Sequence, residues 1–212
     1  ECLVGSEMCI RDRSLENNDI PGLDEDLKTR FLAESLFIRA HYFYHLVQQF
    51  GDIPMPLKPT NSVETTAHKT KVDEVWNQIV TDLEFAVENL PETYQASEFG
   101  HITKYAAMHH LSRVYLTLKR SDDDLKKALN YAEQVINSGK YSLVKSHAEL
   151  WDINNKNNSE VLFSVLYTQN AELNGDGNTA HMYFCSAYSE EHPAVKRVIE
   201  YGRPWSRERS SD

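Results

Sequence analysis

Two histidines, His41 and His45, stand four residues apart within a stretch of helical periodicity. On a helix this spacing places both imidazoles on one face, where they can share a metal ion. A zinc-protease helix also needs a Glu directly after the first histidine, and this chain has Tyr42 there. The adjacent His109 and His110 cannot share a helix face, so they are weaker candidates. No third ligand is evident, and we expect a partly exposed helix face, no metal and no cofactor.

The sequence lacks the other patterns that are typical of catalysis. It has no phosphate loop, no nucleophile elbow and no Cys/His/Asp spacing that would suggest a nucleophile. Residues 152–163 have the length of a calcium loop but lack Gly at its sixth position and Glu at its twelfth. We therefore expect a protein that is not an enzyme. A hydrolase would require His41, His45 and a carboxylate to converge.

Aromatic side chains near amides offer a binding function instead. Sugar rings present apolar C–H faces that stack on aromatic rings, and sugar hydroxyls need amide or carboxylate partners. Tyr183, Phe184 and Tyr188 lie in a polar segment of poor periodicity, close to Asn178. Tyr183, Tyr188 and Asn178 are therefore the candidate sugar-binding residues. The alternative is that these aromatic residues fill core beneath a long loop.

The elements that position these residues are predicted from apolar side chains that recur every three or four residues. Thr70 is the expected N-cap of the second helix, with Asp73 at the capping-box position. Trp76 and Tyr115 are predicted core residues. The predicted helices cover about Leu27–Phe50, Lys71–Leu90, Thr103–Lys119 and Asp122–Ser138.

The third and fourth predicted helices resemble a tetratricopeptide-type hairpin. Residues 160–167 form the one good strand candidate, since alternate positions carry Val161, Phe163, Val165 and Tyr167. Short helices are predicted near Ala148–Trp151 and Pro193–Tyr201. The predicted fold class is all-α, with tetratricopeptide-like helical hairpins, long irregular loops and at most a short strand pair. The expected inward residues of the fourth helix are Leu125, Ala128, Leu129, Ala132, Val135 and Ile136.

Composition excludes several classes of function. The chain has 212 residues, a net charge of -10 and no basic stripe, so we expect no nucleic-acid partner. No apolar run approaches the length that spans a membrane. Residues 2–13 match one translated frame of a transposase-type sequencing adapter. We therefore expect residues 1–13 to be a non-native tail that packs against nothing, and residues 14–212 to be a partial helical domain truncated at both ends. Cys185 lies outside that tail and is expected to be a small buried hydrophobe.

One stretch of the chain combines Arg39–Ala40, a run of aromatic residues, and Phe50–Gly51–Asp52 before Ile53–Pro54. With four later stretches it makes a set of five, which are Ala33–Met55, Val75–Pro91, Thr103–Leu143, Glu160–Ser164 and Tyr201–Trp205. In their order and spacing these five stretches resemble the SusD/RagB family. The resemblance covers most of Leu27 to Trp205.

The resemblance implies a non-enzymatic protein that binds an oligosaccharide or other nutrient for uptake across the outer membrane. The implied partner is a SusC-like TonB-dependent transporter. The implied location is the cell surface, as an outer-membrane lipoprotein held only by a lipid anchor on a Cys upstream of this sequence. The helical hairpins would dock on the transporter through charged outer faces such as those of Asp82, Glu84 and Lys126–Lys127, and the loop-rich side would face the glycan. From the residues alone, a tetratricopeptide-like adaptor that binds a protein or peptide is the alternative, supported by the hairpin at Thr103–Gly139.

Overall fold

The computed structural model describes residues 23–57, 68–95, 98–152, 154–155 and 157–166. The chain divides into a unit of residues 1–164 and a unit of residues 165–212. Every helix given below lies in the first unit, and of the second only residues 165 and 166 are described. The adapter-like residues 1–13, Cys185 and the predicted helix at Pro193–Tyr201 lie outside the described residues.

The regular elements in the described part of the chain are helices, and this confirms the predicted all-α fold class. α1 spans Glu25–Phe50, α2 spans Val72–Asn89 and α3 spans Lys104–Leu118. α4 spans Asp122–Asn137, and the short α5 spans His147–Leu150. The predicted helix bounds differ from the observed ones by about two residues at most, because caps and breakers in the sequence mark the helix ends.

The start of α2 departs from the expected capping box. The N-cap residue is Lys71, not Thr70, and its side chain makes no capping hydrogen bond. Asp52 takes this role from the preceding loop, since its Oδ1 accepts the Val72 backbone N–H at 3.0 Å and its Oδ2 accepts from Lys71 Nζ at 2.9 Å. Thr70 instead pairs with Ile53 in an isolated antiparallel bridge. These contacts join the beginning of the connection after α1 to its end at the start of α2.

The helices pack in chain order, α1 on α2, α2 on α3 and α3 on α4. One apolar core runs through these contacts, and it includes the fully buried Phe37, Ile79 and Leu83. Trp76 and Tyr115 are 9% and 3% exposed, which confirms both as core residues. The helix pairs thus bury one shared apolar surface, as tetratricopeptide-like hairpins do.

The buried face of α4 is narrower than predicted. Leu129 and Ile136 are 59% and 73% exposed, so the prediction that they point inward is wrong. The buried residues of α4 are Asp124, Ala128 and Val135, whose spacing of four and seven describes a single stripe. Only α3 packs against α4 among the described helices, and one neighbour covers one stripe.

The strand predicted at residues 160–167 does not form in its described part, residues 160–166. Val161, Leu162 and Phe163 are all half-buried in succession, whereas a half-buried strand would alternate. The Glu160 carboxylate accepts the Val144 backbone N–H at 3.0 Å, and the Ser159 carbonyl accepts from Ser142 N–H at 2.9 Å. These contacts hold the segment as a packed loop.

Asp82 is buried, so its predicted place on the outer charged face of α2 is wrong. Arg39 of α1 donates to Asp82 Oδ2 from Nε at 2.8 Å and to Oδ1 from Nη2 at 2.7 Å. Gln78, one turn earlier on α2, donates to the same Oδ1 at 2.7 Å. This bidentate pair compensates the desolvation of both charges and fixes the register of α1 on α2.

Candidate functional site

A cavity of about 430 Å³ opens in the first unit of the chain. One wall is formed by residues 92–95, residues 98–101 and Thr103 of the α2–α3 loop. The other walls come from Lys140 and Tyr141 after α4, and from the segment between Asn157 and Ser164. A volume of this size lies within the range of about 300–1,000 Å³ that small-molecule sites occupy.

The α2–α3 loop presents two rings that are held in place by one carboxylate. Tyr94 and His101 stack with their centroids 5.2 Å apart and their planes 27° apart. Glu34 of α1 accepts a hydrogen bond from the Tyr94 hydroxyl at 2.8 Å, and its two oxygens lie 2.9 and 3.0 Å from His101 Nδ1. A carboxylate only accepts, so His101 carries its proton on Nδ1. Burial and this hydrogen bond raise the pKa of Tyr94, which keeps its hydroxyl protonated.

Charged residues brace the same loop from outside. Arg30 of α1 donates to Glu98 at 3.2 Å, and its guanidinium lies 5.4 Å from the centroid of the Tyr94 ring. The Lys104 backbone N–H donates to the Pro91 carbonyl at 2.8 Å, which closes the base of the loop. Arg30, Glu34 and the loop closure together preorganise the ring pair.

The walls formed by Tyr141 and by the segment from Asn157 are held by contacts with the start of α3 and by hydrogen bonds within the loop. The hydroxyls of Tyr141 and Thr103 lie 3.2 Å apart, and the Tyr141 ring meets Tyr105 edge to face at 5.9 Å. Asn158 is buried and donates to the Leu150 and Asn155 carbonyls, while its Oδ1 accepts the Glu160 backbone N–H. Asn158 therefore maintains the loop, and the neighbouring Asn157 stands exposed at the cavity.

A second cluster joins histidines from two helices. His41 lies 4.7 Å from His45 on α1 and 5.3 Å from His110 on α3, measured between ring centroids. Phe163 meets His41 at 5.8 Å and Phe37 at 5.2 Å, so this cavity-lining residue also belongs to the cluster. The prediction that His41 and His45 share a face is confirmed, and His110 is the member that the sequence reasoning dismissed.

Burial disfavours the charged forms of His41 and His110 in this cluster. Burial, with His41 and Arg113 nearby, lowers the pKa of His110 to about 3, and its Nε2 finds no hydrogen-bond partner among the described residues. Burial also lowers the pKa of His41 and of His109. The described residues contain no group of three or more His, Cys, Asp or Glu arranged to hold a metal ion.

The predicted sugar-binding residues Tyr183, Tyr188 and Asn178 lie outside the described residues. Sequence reasoning missed the cavity because its walls come from loops that are about 60 residues apart in the chain. Tyr94 and Phe99 are the signal in the sequence that could have indicated a binding cavity here, since they are aromatic residues in a polar loop.

Comparison with known proteins agrees with this architecture. Residues 14–116 match a SusD-like family described as "Starch-binding associating with outer membrane". The SusD-like protein P2 of Formosa agariphila is 30% identical over 200 residues, which cover 92% of this chain and 37% of that protein. The chain belongs to the SusD-like family. It spans about a third of the length of the curated relatives that it matches, between 28% and 37%.

Solved structures of SusD-like proteins share the helical arrangement. A SusD-like protein of Bacteroides fragilis aligns with a TM-score of 0.68 at 25% identity, over 86% of this chain and 35% of that one. A structure described as containing xylogluco-oligosaccharide aligns with a TM-score of 0.70 at 24% identity, over 78% of this chain and 34% of that one. At that identity the second likeness shows the fold alone. No helix among the described residues of this SusD-like chain has the length and apolar character needed to cross a membrane.

Proposed function

We propose that this SusD-like chain is the glycan-binding part of a non-enzymatic outer-membrane uptake protein. Membership of a family described as starch-binding and outer-membrane-associated is the observation that carries the proposal. The ligand class is an oligosaccharide.

The proposed contacts are the candidate residues that the sequence indicates. Tyr183 and Tyr188 would stack on sugar C–H faces, and the Asn178 amide would hydrogen-bond to hydroxyls. The helices have a structural role instead, since Arg39, Asp82 and the apolar core hold them against one another. We therefore assign sugar recognition to loops and scaffolding to α1–α4.

The proposed partner is a SusC-like TonB-dependent transporter at the cell surface, where a lipid anchor would hold the intact protein. The exposed faces of α2 and α4 carry mixed charge, as at Glu74 and Lys126. Glu84 and Lys127 are exposed as well, but Glu84 accepts from the Tyr115 hydroxyl at 2.9 Å and Lys127 lies over the Tyr115 ring. Glu74 and Lys126 are thus the better residues for probing a polar, partly wet docking interface.

Calorimetric titration with oligosaccharides and transporter pull-down on the same variants test this division. Tyr183→Ala and Tyr188→Ala should weaken oligosaccharide affinity and leave capture by the transporter unchanged. Glu74→Lys and Lys126→Glu should do the reverse, with Lys145→Glu as a control outside the helices. If a folded helix variant lost sugar binding, the assignment of recognition to loops would be wrong.

A further inference from the structure

We propose that the cavity between the α2–α3 loop and the segment at residues 157–164 binds a neutral mono- or disaccharide. This site uses residues other than Tyr183, Tyr188 and Asn178. The inference rests on the proposed saccharide-binding function and adds a defined pocket to it. Its support is the combination of apolar faces, hydrogen-bonding groups, charge balance and preorganisation in one 430 Å³ space.

The cavity offers aromatic surface to the apolar face of a sugar ring. Tyr94 and His101 form a stacked pair on one wall, and Phe99 on the same loop is 40% exposed. Phe163 lines another wall and is backed by Phe37 and His41 of α1. An exposed Phe in a polar loop is poorly hydrated, so covering it with the C–H face of a pyranose is favourable.

Hydrogen-bonding groups line the same space. Glu92 and Gln95 come from the α2–α3 loop, and Asn157 comes from the facing segment. All three are exposed, in contrast to the buried Asn158, whose amide is used by three backbone groups. Amide and carboxylate side chains suit hydroxyl groups because they offer acceptors, and the amides offer donors as well.

The charges around the cavity favour a neutral ligand. Glu92 and Lys140 both line it, and Glu98 is already paired with Arg30. An anionic ligand would meet these carboxylates without a surplus of cations, so a phosphate or a sugar acid is disfavoured. The charge balance therefore favours a neutral polyhydroxylated molecule.

The ring pair is fixed before any ligand arrives. Glu34 holds both Tyr94 and His101 by hydrogen bonds of 2.8 to 3.0 Å. Ordering a side chain on binding lowers affinity, and a wall that is already ordered avoids that loss. Glu34 is therefore a positioning residue for this site.

Calorimetric titration of the 212-residue chain with maltose, cellobiose and xylobiose tests the proposal. Phe99→Ala and Asn157→Ala should each weaken binding of the preferred disaccharide by about tenfold. Phe50→Ala is the matched control, because Phe50 is 66% exposed at the end of α1 and does not line the cavity. It should change the affinity by less than about twofold. Circular dichroism verifies that each variant keeps its helical content.

A second titration separates this inference from the proposed function. It uses longer maltooligosaccharides, cellooligosaccharides and xylooligosaccharides, with the unmodified chain and with Tyr183→Ala. Disaccharide binding that is weakened in Phe99→Ala but kept in Phe50→Ala supports the cavity. Equal disaccharide affinity in Phe99→Ala and the unmodified chain overturns it. If Tyr183→Ala then loses binding of the longer sugars, the proposed function still stands. Absence of binding to sugars of either length overturns both.

Discussion

The histidine cluster makes the helical unit sensitive to acid, and His110 allows the effect to be calculated. Its folded-state pKa of about 3 lies far below the value near 6.5 expected in the unfolded chain. As pH falls below about 6.5, the unfolded state takes up a proton at this position and the folded state does not. Stability is therefore full above the unfolded pKa and declines as pH falls toward the folded one.

The size of the loss follows from the unfolded pKa. Between pH 7 and pH 5, proton uptake by the unfolded chain at His110 lowers the free energy of unfolding by about 2 kcal/mol. The folded pKa hardly matters in this window, because any value near 3 leaves the native imidazole neutral at pH 5. The pKa of His41 is lowered as well, so the loss of stability calculated for His110 alone is a minimum for the whole cluster.

Urea unfolding at pH 7 and pH 5, followed by circular dichroism, measures this loss. His110→Phe removes the titrating group and should reduce the pH dependence by about 2 kcal/mol, whatever its effect on stability at pH 7. His68→Gln alters an exposed histidine and should keep the full pH dependence. If His110→Phe retained the pH dependence of the unmodified chain, the argument for a buried neutral His110 would be refuted.

Three further predictions concern the scaffold, and urea unfolding at pH 7 measures each. Asp82→Ala should lose about 3–5 kcal/mol, because it leaves the Arg39 guanidinium buried without its carboxylate, and a loss below about 1 kcal/mol would contradict this. Trp76→Ala should also lose about 3–5 kcal/mol by opening a cavity in the core; a surface-like loss below about 1 kcal/mol would contradict it. Asp52→Ala should lower the urea midpoint of unfolding because it uncaps Val72, and an unchanged midpoint would contradict this.

The helices were predictable because local chemistry sets their ends. Gly51 has a φ of +67° after α1, and Thr103 and Ser121 cap α3 and α4 with side-chain oxygens. Ser121 and Thr103 each lie directly before a run of helix-forming residues, so the sequence indicates where those helices begin.

Long-range partners could not be predicted from spacing. Asp82 lies where an exposed position was expected, but it is buried and paired with Arg39, 43 residues earlier in the chain. His110 was dismissed on the geometry of its own helix, yet its histidine neighbour is on α1. The cavity depends in the same way on Glu34, which orders a loop about 60 residues further along the chain. Each of these contacts is determined by helix packing, which periodicity does not specify.

Non-enzymatic glycan binding can be measured by equilibrium dialysis of the chain against labelled oligosaccharides, followed by chromatography of the recovered sugar. We expect the protein to retain at least one oligosaccharide and the sugar to be recovered at its original length. Retention of none would show that the chain does not bind these glycans, and shortened products that scale with protein concentration would show hydrolysis.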